Sequence, residues 1–161
     1  MANPSYMTIT GKTQGLISAA CSTADSVGNK YQAAHTDEIM VLALSHEIRS
    51  DEKSGRAIHG PVIVTKVVDK SSPLLSQALA SKEELSCTIS LYRTSPHGQQ
   101  EKFYSMALEG AVIADMTQDV PHVILHNDAE PQEQVAIRYR GISWVHHIAG
   151  TTGYASWGEE S

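Results

Sequence analysis

Alternation of apolar and polar positions runs through most of the chain and predicts a mainly β protein. In "ELSCTISLYR", Leu85, Cys87, Ile89 and Leu91 fall on one side while Ser86, Thr88, Ser90 and Tyr92 fall on the other. That two-residue period is the mark of a strand with one dry and one wet face. "EIMVLALSHEI" (38–48) and "PVIVTKVVD" (61–69) are apolar at odd and even positions alike, so both are expected to be covered on both faces. In "KFYSMALEGAVIADM", Tyr104, Met106, Leu108 and Val112 share a side, and Gly110 marks a bend or bulge. In "VAIRYRGISWVHHI" the parity changes: Val135, Ile137 and Tyr139 are odd, Ile142, Trp144 and Ile148 even. A bulge at Gly141 would absorb the slip.

One helix stands out against this pattern. "KSSPLLSQALAS" offers Ser72 as N-cap, Pro73 at the first helical position, and Leu74, Leu75, Ala78 and Leu79 on one face. A short helix over about 72–81, apolar on one side, packs against a sheet. "TSPHGQQ" (94–100) reads as a hairpin connection and "HNDAEPQEQ" (126–134) as a polar loop. "SDEKSGRAIHG" (50–60) is a long polar excursion between two apolar strands. The expected fold is an antiparallel β-barrel or sandwich with one short capping α-helix. It forms a single domain over residues 1–157, followed by a short polar tail at 158–161.

Length and charge narrow the function. At 161 residues the chain can bury a core of its own. A net charge of −6 opposes binding to nucleic acid or to an anionic membrane surface. Neither a basic-then-apolar secretory leader nor an apolar run of membrane-spanning length is visible. Cys21 and Cys87 are far apart and adjoin no partner motif. They read as free thiols, with Cys87 a core filler.

Candidate chemistry is sparse. "GKT" at Gly11–Thr13 evokes a phosphate-gripping loop, but the first glycine of that motif would fall at position 6, which is Tyr6. Met7 to Thr10 alternate like a strand, so the stretch reads as a strand end and its turn. His122 and His126 have a helical ligand spacing, but "VPHVILH" is β-branched and reads as strand. Four residues of strand span about 13 Å, too far for one metal. His146 and His147 are adjacent and would diverge on a strand. No G-x-S-x-G elbow occurs, and the Glu83–Glu84 and Glu159–Glu160 pairs read as solvated. No catalytic residues, cofactor or metal are expected.

Four blocks carry a wider resemblance: "YMTITGKTQGLIS", "DEIMVLALSHEI", "GPVIVTKVVDKSSPLLSQAL" and "NDAEPQEQVAIRYRGISWVHHIAGTTGYASW". Together, from Tyr6 to Trp157, they resemble the haemolysin-coregulated protein (Hcp) family of bacterial type VI secretion tubes. The resemblance implies a phage tail-tube-like β-barrel that forms homohexameric rings. Such rings stack into a tube inside a contractile sheath, with a spike protein at its tip and small effector proteins carried in the lumen. It also implies assembly in the cytoplasm and export with the tube, without a signal peptide and without catalysis. In that family an extended loop projects from the ring to the next ring. The corresponding stretch here is Ser50, Asp51, Glu52, Lys53, Ser54, Gly55, Arg56 and, three residues on, His59. The alternatives are a phage tail-tube virion protein of the same architecture and a monomeric small-molecule-binding β-barrel with an apolar cavity.

Overall fold

The structure, a computed structural model, describes residues 3–157. In chain order these residues form β1 (Ser5–Gly11), β2 (Gly15–Leu16), α1 (Ala24–Val27), β3 (Ile39–Val41), β4 (Ala43–Ser45), β5 (Ile48–Ser50), β6 (Ala57–His59) and β7 (Val62–Val67). There follow α2 (Ser72–Ser81), β8 (Leu85–Thr94), β9 (Gln100–Asp119), β10 (Gln132–Arg138), β11 (Gly141–His146) and β12 (Thr151–Ser156). Every ladder among them is antiparallel. The fold is the mainly antiparallel β architecture that the alternation predicts, with the expected short helix as α2 and a further single turn, α1, that was not expected.

The sheet closes on itself. β1 pairs β8, β8 pairs β9, β9 pairs β10 and β10 pairs β7. β7 then pairs β4, while β3 pairs β1. Only Leu42 separates β3 from β4, and its amide donates to the Thr65 carbonyl at 2.7 Å. β3 and β4 thus act as one interrupted strand that bonds β1 at one end and β7 at the other. Closure leaves fewer open edges for unwanted pairing. Met7, Ile9, Ile89, Leu108, Val135 and Ile142 are buried inside, so the interior is filled by side chains.

The slip in "VAIRYRGISWVHHI" is real, but its form differs from a bulge at Gly141. β10 runs beside the second half of β9 and β11 beside the first half. Between them the chain breaks at Tyr139 and Arg140. On β9 the matching irregularity sits at Gly110, where φ is +59° and the pairing to β8 shifts. A Cβ at Gly110 would come within 3.0 Å of the Arg140 side chain. The two irregularities face each other, and they make one corner. The parity of β9 flips there: Ala111 and Ile113 are buried after the bend, whereas Val112 is not. Val112 therefore does not join Tyr104, Met106 and Leu108.

α2 occupies the predicted range, with Leu75 and Ala78 buried against the barrel. Its N-cap is Ser71, one residue earlier than expected. The reason is that Ser72 is drawn inward: its hydroxyl donates to Glu133 Oε1 at 2.5 Å and accepts from Asp69 N at 3.0 Å. The helix ends on Lys82 in the left-handed region, φ +55°. That conformation carries the next residue, Glu83, back under the β1–β2 turn.

Two more expectations change. Residues 38–48 are not one doubly covered strand. They break into β3, β4 and the start of β5, leaving Leu42 and Ile48 exposed. "VPHVILH" is a turn: the His126 amide donates to the His122 carbonyl at 2.8 Å, and His122 Nδ1 accepts from the amides of Ile124 and Leu125, each at 3.2 Å. Pro121 and the ring of His122 win locally over β propensity.

Candidate assembly surface

The excursion between β4 and β7 is a projecting arm. β5 and β6 pair only with each other, Ile48 opposite His59 and Ser50 opposite Ala57, in a two-stranded sheet of their own. Asp51 organises the tip. Its Oδ2 accepts from Ser54 Oγ at 2.7 Å, and its carbonyl accepts from the Gly55 amide at 2.8 Å. Gly55 supplies the left-handed φ of +70° that the reversal needs. The Ser54 hydroxyl hydrogen bond, followed by the Lys53 amide, holds the Asp51 carboxyl below its usual range. Glu52, Lys53, Ser54 and Arg56 are exposed around this tip, and Ser50 is exposed on β5. His59 is the exception among the predicted residues: it is buried at the arm's root.

The root is a cluster that the sequence reading missed. His46 Nε2 lies 2.8 Å and His59 Nδ1 2.6 Å from the hydroxyl of Tyr139. The ring of Trp157 tilts against His59, with centroids 5.6 Å apart. Below, the Gly60 amide donates to the Glu47 carbonyl at 2.9 Å. Burial pushes the Tyr139 phenol up to about 12. Burial and the neighbouring His59 lower His46, and burial lowers His59. A hydroxyl can donate to one imidazole and accept from the other, so two neutral rings satisfy it. His46, His59 and Tyr139 lie up to 93 residues apart in sequence, and no local motif links them.

The "GKT" amides do grip an oxyanion, but it is the chain's own. Glu83 Oε2 accepts from the amides of Thr13 and Gln14, each at 2.8 Å, and Oε1 accepts from Gln14 Nε2 at 2.9 Å. The Gln14 amide hydrogen bond, the largest influence, helps to hold this carboxyl below its usual range. Glu83 is thus buried and fully used, where a solvated residue was expected. A Cβ on Gly11 would sit 2.2 Å from Glu83 Oε2, so the glycine is needed for the carboxylate and no phosphate is required to explain it. Among the described residues Lys12 pairs with Glu84, at 3.4 Å on the surface.

A second unforeseen feature lies inside the barrel. Lys66 continues the inward row of Val62 and Val64 and has no exposed surface. Its ammonium pairs with Glu133, which is equally buried, and with Asp69 at 3.1 Å. Gln118 Nε2 donates to Glu133 Oε2 at 2.9 Å. Burial opposes charge on Glu133, but the hydrogen bonds from Lys66, Ser72 and Gln118 prevail and hold its carboxyl below the usual range. The network bolts α2 to β7 and β10. Cys21 beside it is pushed up to about 11 by burial and by Asp69, and Cys87 to about 12 by burial. Both are buried free thiols, an inert state for a cysteine.

Among the described residues, no three His, Cys, Asp or Glu side chains are grouped to hold a metal ion. His146 Nδ1 accepts from the Ala149 amide at 3.1 Å and His147 Nε2 meets Ser105 Oγ at 2.8 Å, so each has a separate partner.

A closed barrel with a packed interior, whose conspicuous surface features are a rooted arm and a clasped turn, defines the class: an antiparallel β-barrel filled by its own side chains. Comparison with known proteins gives the class its family. The family model described as "Type VI secretion system effector, Hcp" matches residues 6–146. The Major exported protein of Pseudomonas aeruginosa is 43% identical, over 98% of this chain and 96% of its own length. Uncharacterized protein YhhZ of Escherichia coli is 36% identical over 94% of this chain, which spans 37% of that protein. Among solved structures, the secreted protein Hcp3 from Pseudomonas aeruginosa has a TM-score of 0.87 at 43% identity, with 98% and 100% of the two chains covered. An Hcp protein has a TM-score of 0.91 at 36% identity, with 99% and 100% covered. The chain belongs to the Hcp family of type VI secretion proteins.

Proposed function

We propose that this chain is the ring-forming subunit of a type VI secretion tube. Six copies close into a ring, rings stack, and the tube leaves the cell carrying small effector proteins in its lumen. The sheath and the tip spike are its other partners, and assembly precedes export. The observation that carries this reading is the match to the Hcp family along nearly the whole barrel. Two features support it physically. Leu42 and Ile48, apolar in sequence, remain uncovered in the single chain, as expected of residues that a neighbour buries. The arm, with Ser50 to Arg56 at and around its tip and His59 at its root, projects clear of the barrel and supplies the contact with the next ring. Export fits the name of the Pseudomonas relative, Major exported protein.

Native mass spectrometry tests the ring directly. The expected result is a species of six subunits formed without added nucleotide or metal. A monomer persisting through the micromolar range would overturn the proposal.

A further inference from the structure

Three side chains from separate parts of the chain aim at one point at the arm's root. His46 follows β4, His59 ends β6 and Tyr139 follows β10. His46 Nε2 lies 2.8 Å and His59 Nδ1 2.6 Å from the Tyr139 hydroxyl oxygen. The two imidazoles stand at 63° and 86° to the phenol ring, with centroids 5.7 and 5.5 Å away. Neither ring stacks on the phenol, and each turns a nitrogen toward its oxygen.

Two imidazoles and a phenol oxygen converging in this way are a donor set for a transition ion. Around a tetrahedral ion with bonds of about 2.0–2.1 Å, neighbouring donor atoms are about 3.3 Å apart. The nitrogens need to withdraw from the oxygen by only about 0.5–0.7 Å for an ion to enter between the three donors. His46 is placed to make that move: it is half-buried, on the chain leading into the arm, whereas His59 and Tyr139 are buried. Its open side admits the ion and a water. Because burial lowers both histidines, the rings are neutral above their ordinary 6.5, and the neutral form is the one that ligates. The phenol, pushed up to about 12 by burial, keeps its proton until an ion displaces it. Nitrogen donors suit Cu(II) and Zn(II), whereas Mg(II) and Ca(II) take oxygen ligands.

We propose that His46 Nε2, His59 Nδ1 and Tyr139 Oη bind one divalent transition ion, Cu(II) or Zn(II), with water completing the coordination. Binding exchanges a proton for the ion. The phenol O–H bond breaks, its proton leaves to solvent and the phenolate oxygen becomes a ligand. The imidazole that had donated its N–H to the phenol carries that proton on its other ring nitrogen instead. The ion joins both feet of the arm to the barrel wall and so stiffens the arm at its root. Ring formation does not depend on it.

The test titrates the chelator-stripped full chain with CuCl2 and with ZnCl2 at neutral pH. Isothermal titration should give one ion bound per chain with one proton released. Copper should add a visible phenolate-to-copper charge-transfer band and quench Trp157, whose ring lies against His59; a Trp144→Phe background isolates that signal. His46→Gln and His59→Gln should each weaken binding by about a hundredfold or more. Tyr139→Phe should abolish both the band and the proton release, and His122→Gln/His126→Gln should change nothing. Circular dichroism checks that each variant is folded, and His46→Gln, at the half-buried position, decides alone where the buried variants do not fold. Absence of binding by the parent overturns the assignment. So does binding that survives His46→Gln, or a copper complex without the phenolate band. Loss of binding in His122→Gln/His126→Gln moves the ion to the surface turn and overturns it as well.

Discussion

Replacing Lys66 by Met tests whether the buried charge network holds α2 to the barrel. Methionine matches the length of lysine closely, so little of the expected loss comes from a cavity. What changes is charge. The Lys66 side chain is fully buried, and Glu133 and Asp69 show 0% and 2% of their side-chain surface. Without the ammonium, Glu133 keeps the Ser72 hydroxyl and the Gln118 amide, and Asp69 keeps Ser71. Breaking a buried pair by removing one partner costs about 3–5 kcal/mol. For a chain of this size that is a fall in Tm of roughly 6–20 °C. The pH dependence carries more information than the loss itself. In the parent the Glu133 carboxyl is held below its ordinary value of 4.5. Its stabilisation is therefore complete above that pH and disappears as pH falls through the lower, folded-state value. In Lys66→Met the burial that already opposes the charge is offset only by the Ser72 and Gln118 hydrogen bonds, so the carboxyl moves upward from its position in the parent. Protonation then relieves the variant at a higher pH than the parent, so the gap to the parent narrows as pH falls toward the carboxylate range. A Lys66→Met/Glu133→Gln double variant should recover much of the loss, since both ends of the pair are then neutral. The assay is urea unfolding at matched protein concentration, followed by Trp144 and Trp157 fluorescence. A single-variant loss below about 1 kcal/mol, or a gap constant across pH, would refute this account.

Other expectations follow from features already described. Glu83→Gln should lower Tm by weakening the clasp on the Thr13 and Gln14 amides. Lys12→Ala should change stability by no more than about 0.5 kcal/mol and leave no ATP binding to lose, as isothermal titration can check. His46 and His59 have lowered folded-state values, so their contribution is complete above their ordinary 6.5 and is lost as pH falls below it. Hydrogen-exchange protection along the arm, taken relative to the intrinsic rate at each pH, should fall on acidification, and His46→Gln/His59→Gln should flatten that response. Lys82→Gly should raise stability by about 1 kcal/mol or less, by relieving the left-handed strain; an unchanged or lower urea midpoint contradicts this. Replacing residues 49–57 by a Gly/Ser linker, with His59 retained, should leave ring mass intact and abolish stacking in sedimentation; normal stacks count against the arm.

The architecture was legible where one rule governed one element. Period-two alternation located β8, and Pro73 with the leucines located α2. The parity change around Gly141 pointed to the corner, though its partner irregularity at Gly110 was needed to place the break at Tyr139–Arg140. The rule failed where side chains answered to distant partners. Lys66 stands in the inward row with Val62 and Val64, and that row was a visible signal. Its acceptability depends on Glu133, 67 residues away. Glu83 looked solvated because nothing local discloses that it fills the β1–β2 turn. The polar arm was legible as a protrusion, but the histidines that root it were not, since Tyr139 reaches them only after the barrel closes.

The arm leaves the barrel from β4 and returns to it at β7, and these two strands are already neighbours in the sheet. Both ends of the excursion are therefore fixed before its length or sequence matters, and the Glu47–Gly60 hydrogen bond fastens the doorway. Chain added beyond that point enlarges a loop whose closure entropy grows only slowly with length. It disturbs no rung of the barrel ladder. This position is a natural graft site, where a sequence can lengthen, change its charges or carry an inserted peptide tag while the subunit that bears it folds as before. Diversity in how such subunits meet one another can accumulate here at little risk to the cylinder.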